Sequence, residues 1–399
     1  MNILTKGQIG EKLVENFFDK NFSNIYSFSS PKTKDNAEVA DVLIWLNRKL
    51  FLIEVKTRSD EGTAPIESWG HSKIKQAYGQ ILKNYNRIKN NEQIFLRNNH
   101  YHTELDNEGL VTILGLVVLV SDEELKIEPS QYLPEIYNSE IHIHVITWKN
   151  LEDMIKEINT IPDFIYYLQD RFNYLKKFKI STGNELDILG YYKANSNKFP
   201  TISFDFNSQW EKYQNLMKSE IEIRNKHNNY SYFFDTLAKE FSSQRKLLDG
   251  IPLGLYFAWE LGNLSRREKA YYGEKLNSVL EDFPKDMSSR SFSVYSGSTQ
   301  NWLLFHFIKS SENFTDKELK KLCELKVIKE KYLNDFKFGV YAFSFKISDK
   351  YPYQILGING VIMIGAEAVE LNETNIQKAL DTFGHKTSYS GIKIKEFLE

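Results

Sequence analysis

The chain has 399 residues, which at roughly 150 residues per domain indicates two or three domains. Hydrophobic residues make up 41% and charged residues 26%, which excludes disordered and fibrous proteins, and the single cysteine, Cys323, excludes a disulfide framework and a cysteine-based zinc cluster. Because 51 Lys and Arg residues nearly balance 53 Asp and Glu residues, a polyanionic partner would have to be bound by a local patch.

The first 160 residues alternate helices with strands. Ile9, Leu13 and Phe17 recur at helical spacing and predict an amphipathic helix over residues 8–18. Apolar runs at 39–46 and 50–55 flank Asn47-Arg48 and predict a β-hairpin. The other predicted elements are loops at 23–37 and 57–72, a helix at 73–88, strands at 110–120 and 141–147, and a helix at 151–158. This order predicts a mixed α/β domain over residues 1–160.

The remainder, residues 165–399, has a different pattern and predicts a second, α+β domain. No motif in it indicates a function, so its role in recognition, sensing or oligomerisation stays open, as does a second enzymatic activity. Its predicted elements are polar helices at 208–248 and 264–283, strands at 291–308, 338–347 and 354–364, and helices at 315–335 and 373–382.

The predicted hairpin carries the candidate metal-binding and catalytic residues. A two-residue turn pairs Leu46 with Lys49 and places Asp41 opposite Glu54, and the alternation of side chains puts Lys56 on the same face. Two facing carboxylates among apolar neighbours repel each other unless a cation lies between them. Hard oxygen ligands suit Mg²⁺ or Mn²⁺, so Asp41 and Glu54 are candidate metal ligands.

Lys56 would then lie beside the metal, where a scissile phosphate is expected. Its ammonium group can hold the attacking water and offset the negative charge that develops in the transition state. A bound metal lowers the pKa of water and makes hydroxide available near neutral pH. Together, the two acids, the cation and the lysine indicate metal-assisted phosphodiester hydrolysis.

The spacing Asp41-x12-Glu54-x-Lys56 on a hairpin resembles the signature of the PD-(D/E)xK nuclease superfamily. The Gly7-x-x-Gly10-Glu11 segment is similar to the family's first helix, whose glutamate reaches the metal. Gln76 and Gln80 are similar to the family's glutamines on the helix after the motif, and residues 111–120 and 144–154 resemble the nuclease-related domain. Val39-Ala40 stand where the family has a proline before the aspartate.

The resemblance covers about residues 5–160 and implies a restriction-endonuclease-like core, a mixed sheet flanked by helices. It implies catalytic roles for Glu11, Asp41, Glu54, Lys56, Gln76 and Gln80, with Glu11 completing the metal ligands. The implied activity is that of a Mg²⁺-dependent nuclease, with DNA a better candidate substrate than RNA and endonucleolytic cutting expected. A nuclease domain fused to an unfamiliar partner also resembles bacterial anti-phage defence proteins, which is an analogy of architecture.

Several residues have alternative interpretations. Glu11 lies early in a helix, where the helix dipole favours an acid regardless of any metal. Lys73, Lys75 and Lys83 would contact a nucleic-acid backbone or form an ordinary charged helix surface. The pairs His100-x-His102 and His142-x-His144 have the spacing of zinc ligands on a strand, but exposed strand histidines are the better explanation.

The main alternative function is a catalytically silent module that binds nucleic acid or another protein on a nuclease fold. A homo-oligomer is also compatible with the sequence. The longest apolar stretch, residues 110–120, is too short to span a bilayer, and the N-terminus lacks the apolar core of a signal peptide. We therefore expect a cytoplasmic protein that does not enter membranes.

Overall fold

The computed structural model describes residues 5–58, 64–123, 125, 136, 139–178, 184–242, 247–248, 251–334, 336 and 338–383. The chain divides into two compact units, Met1–Asn225 with Asp235–Arg266, and Lys226–Phe234 with Arg267–Glu399. The first unit therefore continues past residue 160, where the sequence suggested a boundary. The assignment of residues 1–160 to a nuclease domain of their own stays a prediction.

Helices and strands alternate along the first unit, and the chain is of the mixed α/β class. Its elements are α1 (Lys6–Phe18), β1 (Ser27–Ser29), β2 (Lys32–Thr33), β3 (Val42–Leu46), β4 (Lys49–Thr57), α2 (Ile66–Lys89), β5 (Ile94–Arg97), β6 (His102–Glu104), β7 (Thr112–Val120), β8 (His142–Thr147), α3 (Trp148–Glu157), α4 (Ile161–Phe178), α5 (Glu185–Ala194), α6 (Gln209–Ser219), α7 (Ile221–Ser242, shared with the second unit), β9 (Leu247–Leu248), β10 (Ile251–Pro252) and α8 (Leu253–Gly262).

A five-stranded mixed sheet in the order β1-β3-β4-β7-β8 forms the centre of this unit. β1, β3 and β4 are antiparallel neighbours, whereas β4, β7 and β8 run parallel. The apolar runs of β4 and β7 are buried, as is usual for parallel strands covered by helices on both faces. Ile81 of α2 packs closely over Gly115 of β7, which pairs with Leu52 of β4. Helix α2 therefore covers the face that also carries Glu54.

Two predicted loops contain regular structure. Residues 23–37 include β1 and β2, and α2 begins at Ile66, inside the loop predicted at 57–72. The loop prediction for residues 23–37 was wrong because strands of two or three residues are too short for a periodic pattern, and the helix predicted at 73–88 begins seven residues earlier. β1 is defined by its pairing with β3, and β2 joins β5 and β6 in a small three-stranded sheet. These pairings are tertiary contacts that local sequence does not specify.

The second unit is built on a four-stranded sheet in the order β11-β12-β13-β14, in which β12 and β13 are parallel. Cys323 and Val327 of the crossover helix α10 pack on Leu304 and Ala342 of these two strands. The strand-like runs predicted at 291–308 are two antiparallel strands, and the other predicted strands and the helices at 264–283, 315–335 and 373–382 are confirmed within a few residues. The single helix predicted at 208–248 was wrong, because α6 ends at Ser219 and Leu247–Leu248 pair with β10 as a strand. The elements are α9 (Arg266–Glu281), β11 (Ser289–Tyr295), β12 (Trp302–Lys309), α10 (Asp316–Asn334), β13 (Gly339–Ile347), β14 (Ile355–Gly365) and α11 (Glu373–Phe383).

Among the described residues, none of the helices combines the length and the apolar character that a bilayer crossing requires.

Candidate active site

The β3–β4 hairpin has the register predicted from the sequence. Leu46 pairs with Lys49 and Val42 with Ile53 across a two-residue turn, so the same register puts Asp41 opposite Glu54. Asn47 occupies the turn with φ of 55°, in the left-handed region that asparagine tolerates better than most residues. The hairpin prediction is confirmed.

Asp41, Glu54 and Lys56 converge at one end of this hairpin. Lys56 Nζ lies 2.9 Å from Glu54 Oε2 and 3.7 Å from Asp41 Oδ2. Asp41 Oδ2 also accepts a hydrogen bond of 2.6 Å from the backbone N–H of Val55, which fixes this carboxylate against β4. The side chains of Lys56, Asp41 and Glu54 are only 11%, 13% and 3% exposed. Two carboxylates and one ammonium group thus share a nearly enclosed space.

The surroundings of these acids disfavour their ionised forms. Burial, followed by the charge of Asp41, raises the pKa of Glu54 to about 7, although Lys56 opposes this effect. Burial also raises the pKa of Asp41, partly offset by Lys56 and by the Val55 N–H. One ammonium group does not compensate two buried carboxylates. An additional positive charge at this position would favour both carboxylates in their ionised form.

Helix α1 brings a third acid to the site through a close contact with β4. Gly10 lies directly against Thr57, since a Cβ atom at Gly10 would overlap the Thr57 hydroxyl and lie 3.1 Å from Thr57 Cβ. The next residue, Glu11, has its pKa raised by burial and then by the charges of Asp41 and Glu38, whereas Lys56 lowers it. Glu11 is therefore within electrostatic range of the two hairpin acids. No hydrogen bond between described residues ties it to them.

Glu38 is a residue of this site that the sequence interpretation missed. It is exposed, three residues before Asp41, and its charge raises the pKa of Glu11, Asp41 and Glu54. An acid just upstream of the predicted metal ligand was the available signal. The sequence interpretation did not use it because Glu38 lies at the end of a polar segment.

The predicted site residues on helix α2 differ in burial and in hydrogen bonding. Gln80 lies beside the buried Ala77 and Ile81, and its Oε1 atom is buried without a hydrogen-bond partner among the described residues. Gln76 is exposed and accepts a hydrogen bond of 3.2 Å from Lys73 Nζ. The two other predicted nucleic-acid contacts on this helix are exposed, Lys75 and Lys83.

The donor set fits a hard divalent cation held mainly by water. Mg²⁺ commonly binds through one or two carboxylates and keeps several waters, which Asp41 and Glu54 can satisfy. Within the described ranges, no group of three or more His, Cys, Asp or Glu side chains is arranged to hold a metal ion. Glu11 is therefore not in place as a third direct ligand in this conformation.

The histidine pairs do not form a metal site within the described residues either. His100 Nε2 lies 2.8 Å from Asn24 Oδ1 at the surface. His144 is buried, with its Nδ1 atom 3.4 Å from a guanidinium nitrogen of Arg171, and His142 stacks on Phe172. Burial and the charge of Arg171 lower the pKa of His144. The interpretation of these residues as exposed strand histidines was wrong for His144.

Comparison of the chain with protein-family models, with curated proteins and with solved structures found no match.

Proposed function

We propose that this protein is a metal-dependent nuclease that hydrolyses phosphodiester bonds, a DNA endonuclease built on a restriction-endonuclease-like core and acting in the cytoplasm. The observation that carries the proposal is the convergence of Lys56 Nζ on Glu54 and Asp41, at 2.9 and 3.7 Å, in a nearly enclosed space. A solvated surface ion pair would explain Glu54 and Lys56, but it would not bury a second carboxylate beside them.

Asp41 and Glu54 would hold Mg²⁺ or Mn²⁺, which when bound neutralises phosphate charge and lowers the pKa of water. Lys56, which is hydrogen-bonded to Glu54, would orient the attacking water and offset charge that develops on the phosphate. Gln80 has a buried amide oxygen without a hydrogen-bond partner among the described residues, and this oxygen would accept a hydrogen bond from water. Lys73 donates a hydrogen bond to Gln76 at the surface, so we assign neither residue a role in the chemistry.

A second candidate is a binding module that keeps the nuclease fold without catalysis. The observation that favours it is the absence, within the described residues, of three acids or histidines arranged around a common metal position. In that case Lys56 would serve only to neutralise Glu54.

A cleavage assay separates the two candidates. Purified protein is incubated with circular DNA, linear DNA and RNA, in Mg²⁺ and in chelator, alongside Lys56→Ala and the exposed control Lys320→Ala. The proposal expects cutting of circular DNA in Mg²⁺ alone, loss of cutting in Lys56→Ala with binding retained, and near-normal cutting in Lys320→Ala. Equal activity in chelator would refute the metal mechanism. Binding of DNA by an inactive wild-type protein would support the silent module.

A further inference from the structure

Arg58 lies just past the carboxyl end of β4, two residues after Lys56. Its backbone N–H donates a hydrogen bond to Val120 O, which continues the parallel pairing of β4 with β7 beyond the last residue of β4. Because side chains alternate along an extended chain, Arg58 belongs to the same face as Glu54 and Lys56, about 6.6 Å further along the strand direction than Lys56. Its guanidinium group donates to Ala64 O just before α2, the helix that covers this face.

The guanidinium group of Arg58 can take up a further acceptor. The side chain is only 12% exposed, and its Nη1 and Nη2 atoms donate to Glu123 Oε2 at 3.2 Å and to Ala64 O at 2.9 Å. A guanidinium group has five N–H donors, so three of them have no hydrogen-bond partner among the described residues. A fixed guanidinium group with donors to spare is suited to bind a phosphate group through two hydrogen bonds.

The carboxylate partner of Arg58 is displaceable. Glu123 lies shortly after the end of β7, and its side chain is 61% exposed. An ion pair with such an exposed partner contributes little stability, because water and salt screen it. The neighbouring Asp122 is also exposed and is not bonded to Arg58 within the described part of the chain. A phosphate group could therefore replace Glu123 on Arg58 at small cost.

The charge of the candidate active site calls for a second basic group toward the substrate. Four acids carry its negative charge: Glu11, Glu38, Asp41 and Glu54. Lys56 lowers the pKa of three of these acids, but it is itself hydrogen-bonded to Glu54. A bound metal would offset the carboxylates and one phosphate group, whereas a nucleic acid carries further phosphates along its strand. Arg58 is the next basic residue along the same face.

We propose that Arg58 binds the backbone phosphate next to the scissile one, and that Glu123 occupies this position until the substrate displaces it. The inference rests on the proposed function and adds to it a phosphate contact with a competing carboxylate. The guanidinium group donates two hydrogen bonds to the phosphate and keeps its bond to Ala64 O. Such a contact positions the strand without reading its sequence.

Binding of a short fluorescein-labelled DNA duplex, measured by fluorescence anisotropy at several salt concentrations, tests this contact. Each change is made in Lys56→Ala and measured in Mg²⁺, so that the DNA is bound without being cut. Adding Arg58→Ala should weaken binding about tenfold and reduce the salt slope of log K by about 0.9. Adding Glu123→Gln should tighten binding about threefold, but not when Arg58→Ala is also present. The controls Arg97→Ala and Glu108→Gln remove exposed charges and should stay within about twofold.

A purely structural role of Arg58 predicts a different result. If its ion pair only held the end of β4 in place, Glu123→Gln would weaken binding or leave it unchanged, and either result would overturn the inference. So would an affinity of Arg58→Ala within about twofold of its parent. Arg58→Lys keeps the charge, so it should keep the parent's salt slope while losing part of the affinity.

Cutting in Mg²⁺, with Lys56 intact, distinguishes failure of this inference from failure of the proposed function. If the wild type cuts DNA, Arg58→Ala should raise KM about tenfold and keep kcat within about threefold. An unchanged KM would overturn the Arg58 contact and leave the nuclease proposal standing. A wild type that binds DNA through Arg58 without cutting would support the contact and contradict the nuclease proposal. A wild type that neither binds nor cuts DNA would overturn both.

Discussion

Replacing Glu54 by glutamine is expected to stabilise the metal-free protein at high pH. The pKa of this carboxyl rises from its usual value of 4.5 to about 7 because the side chain is buried beside Asp41. This difference corresponds to about 3 kcal/mol of folding free energy. Since the folded state holds the proton more tightly, the penalty is absent below pH 4.5, grows as the pH rises to about 7 and is fully present above it.

Glutamine has nearly the same shape and no charge, so Glu54→Gln should be about 3 kcal/mol more stable than the wild type at pH 8 and nearly equal to it at pH 4.5. Urea unfolding followed by circular dichroism in chelator measures both values. Glu108→Gln removes an exposed acid and should change stability by less than about 0.5 kcal/mol at either pH. A variant that is less stable at pH 8, or a difference that does not vary with pH, would refute this account of the site.

Three other changes have defined outcomes. Gly10→Ala should reduce both thermal stability and cleavage, since the added methyl group would overlap the Thr57 hydroxyl. The double variant with Thr57→Ala should recover most of both, and a double variant without recovery would contradict the contact between Gly10 and Thr57. Gln80→Ala should slow cleavage at least tenfold, whereas the cleavage rate of Gln76→Ala should stay within about twofold of the wild type. A larger loss in Gln76→Ala than in Gln80→Ala would contradict a role of Gln80 in the site. Mg²⁺ should raise the melting temperature of the wild type but not of Glu54→Gln, and an equal rise in both would exclude Glu54 as a ligand.

The hairpin was accessible from sequence because its geometry follows from two local rules. Side chains alternate with a period of two, and a two-residue turn at Asn47-Arg48 sets the register, so the opposition of Asp41 and Glu54 follows directly. The distances could not be predicted in this way. They depend on burial, on the Val55 N–H and on a helix packed at Gly10, all of which are tertiary.

The burial and the electrostatic effects of the remaining site residues could not be predicted from the local sequence pattern. Gln76 and Gln80 are one turn apart and have the same helix propensity, yet one is exposed and the other has a buried amide oxygen. The two positions differ by about 40° around the axis of α2, which is enough for one side chain to be exposed and the other to be partly buried. Glu38 was missed for a related reason, since its charge acts through space on three acids that lie in α1, just before β3 and in β4.

The most direct test of the central claim is the binding of Mn²⁺, measured by electron paramagnetic resonance of the free ion in the absence of any nucleic acid. The wild type should bind one Mn²⁺ that Mg²⁺ displaces, the double variant Asp41→Asn with Glu54→Gln should lose that site, and Glu108→Gln should retain it. Equal Mn²⁺ binding by the wild type and the double variant, or none by the wild type, would contradict the claim that these two carboxylates hold a divalent cation.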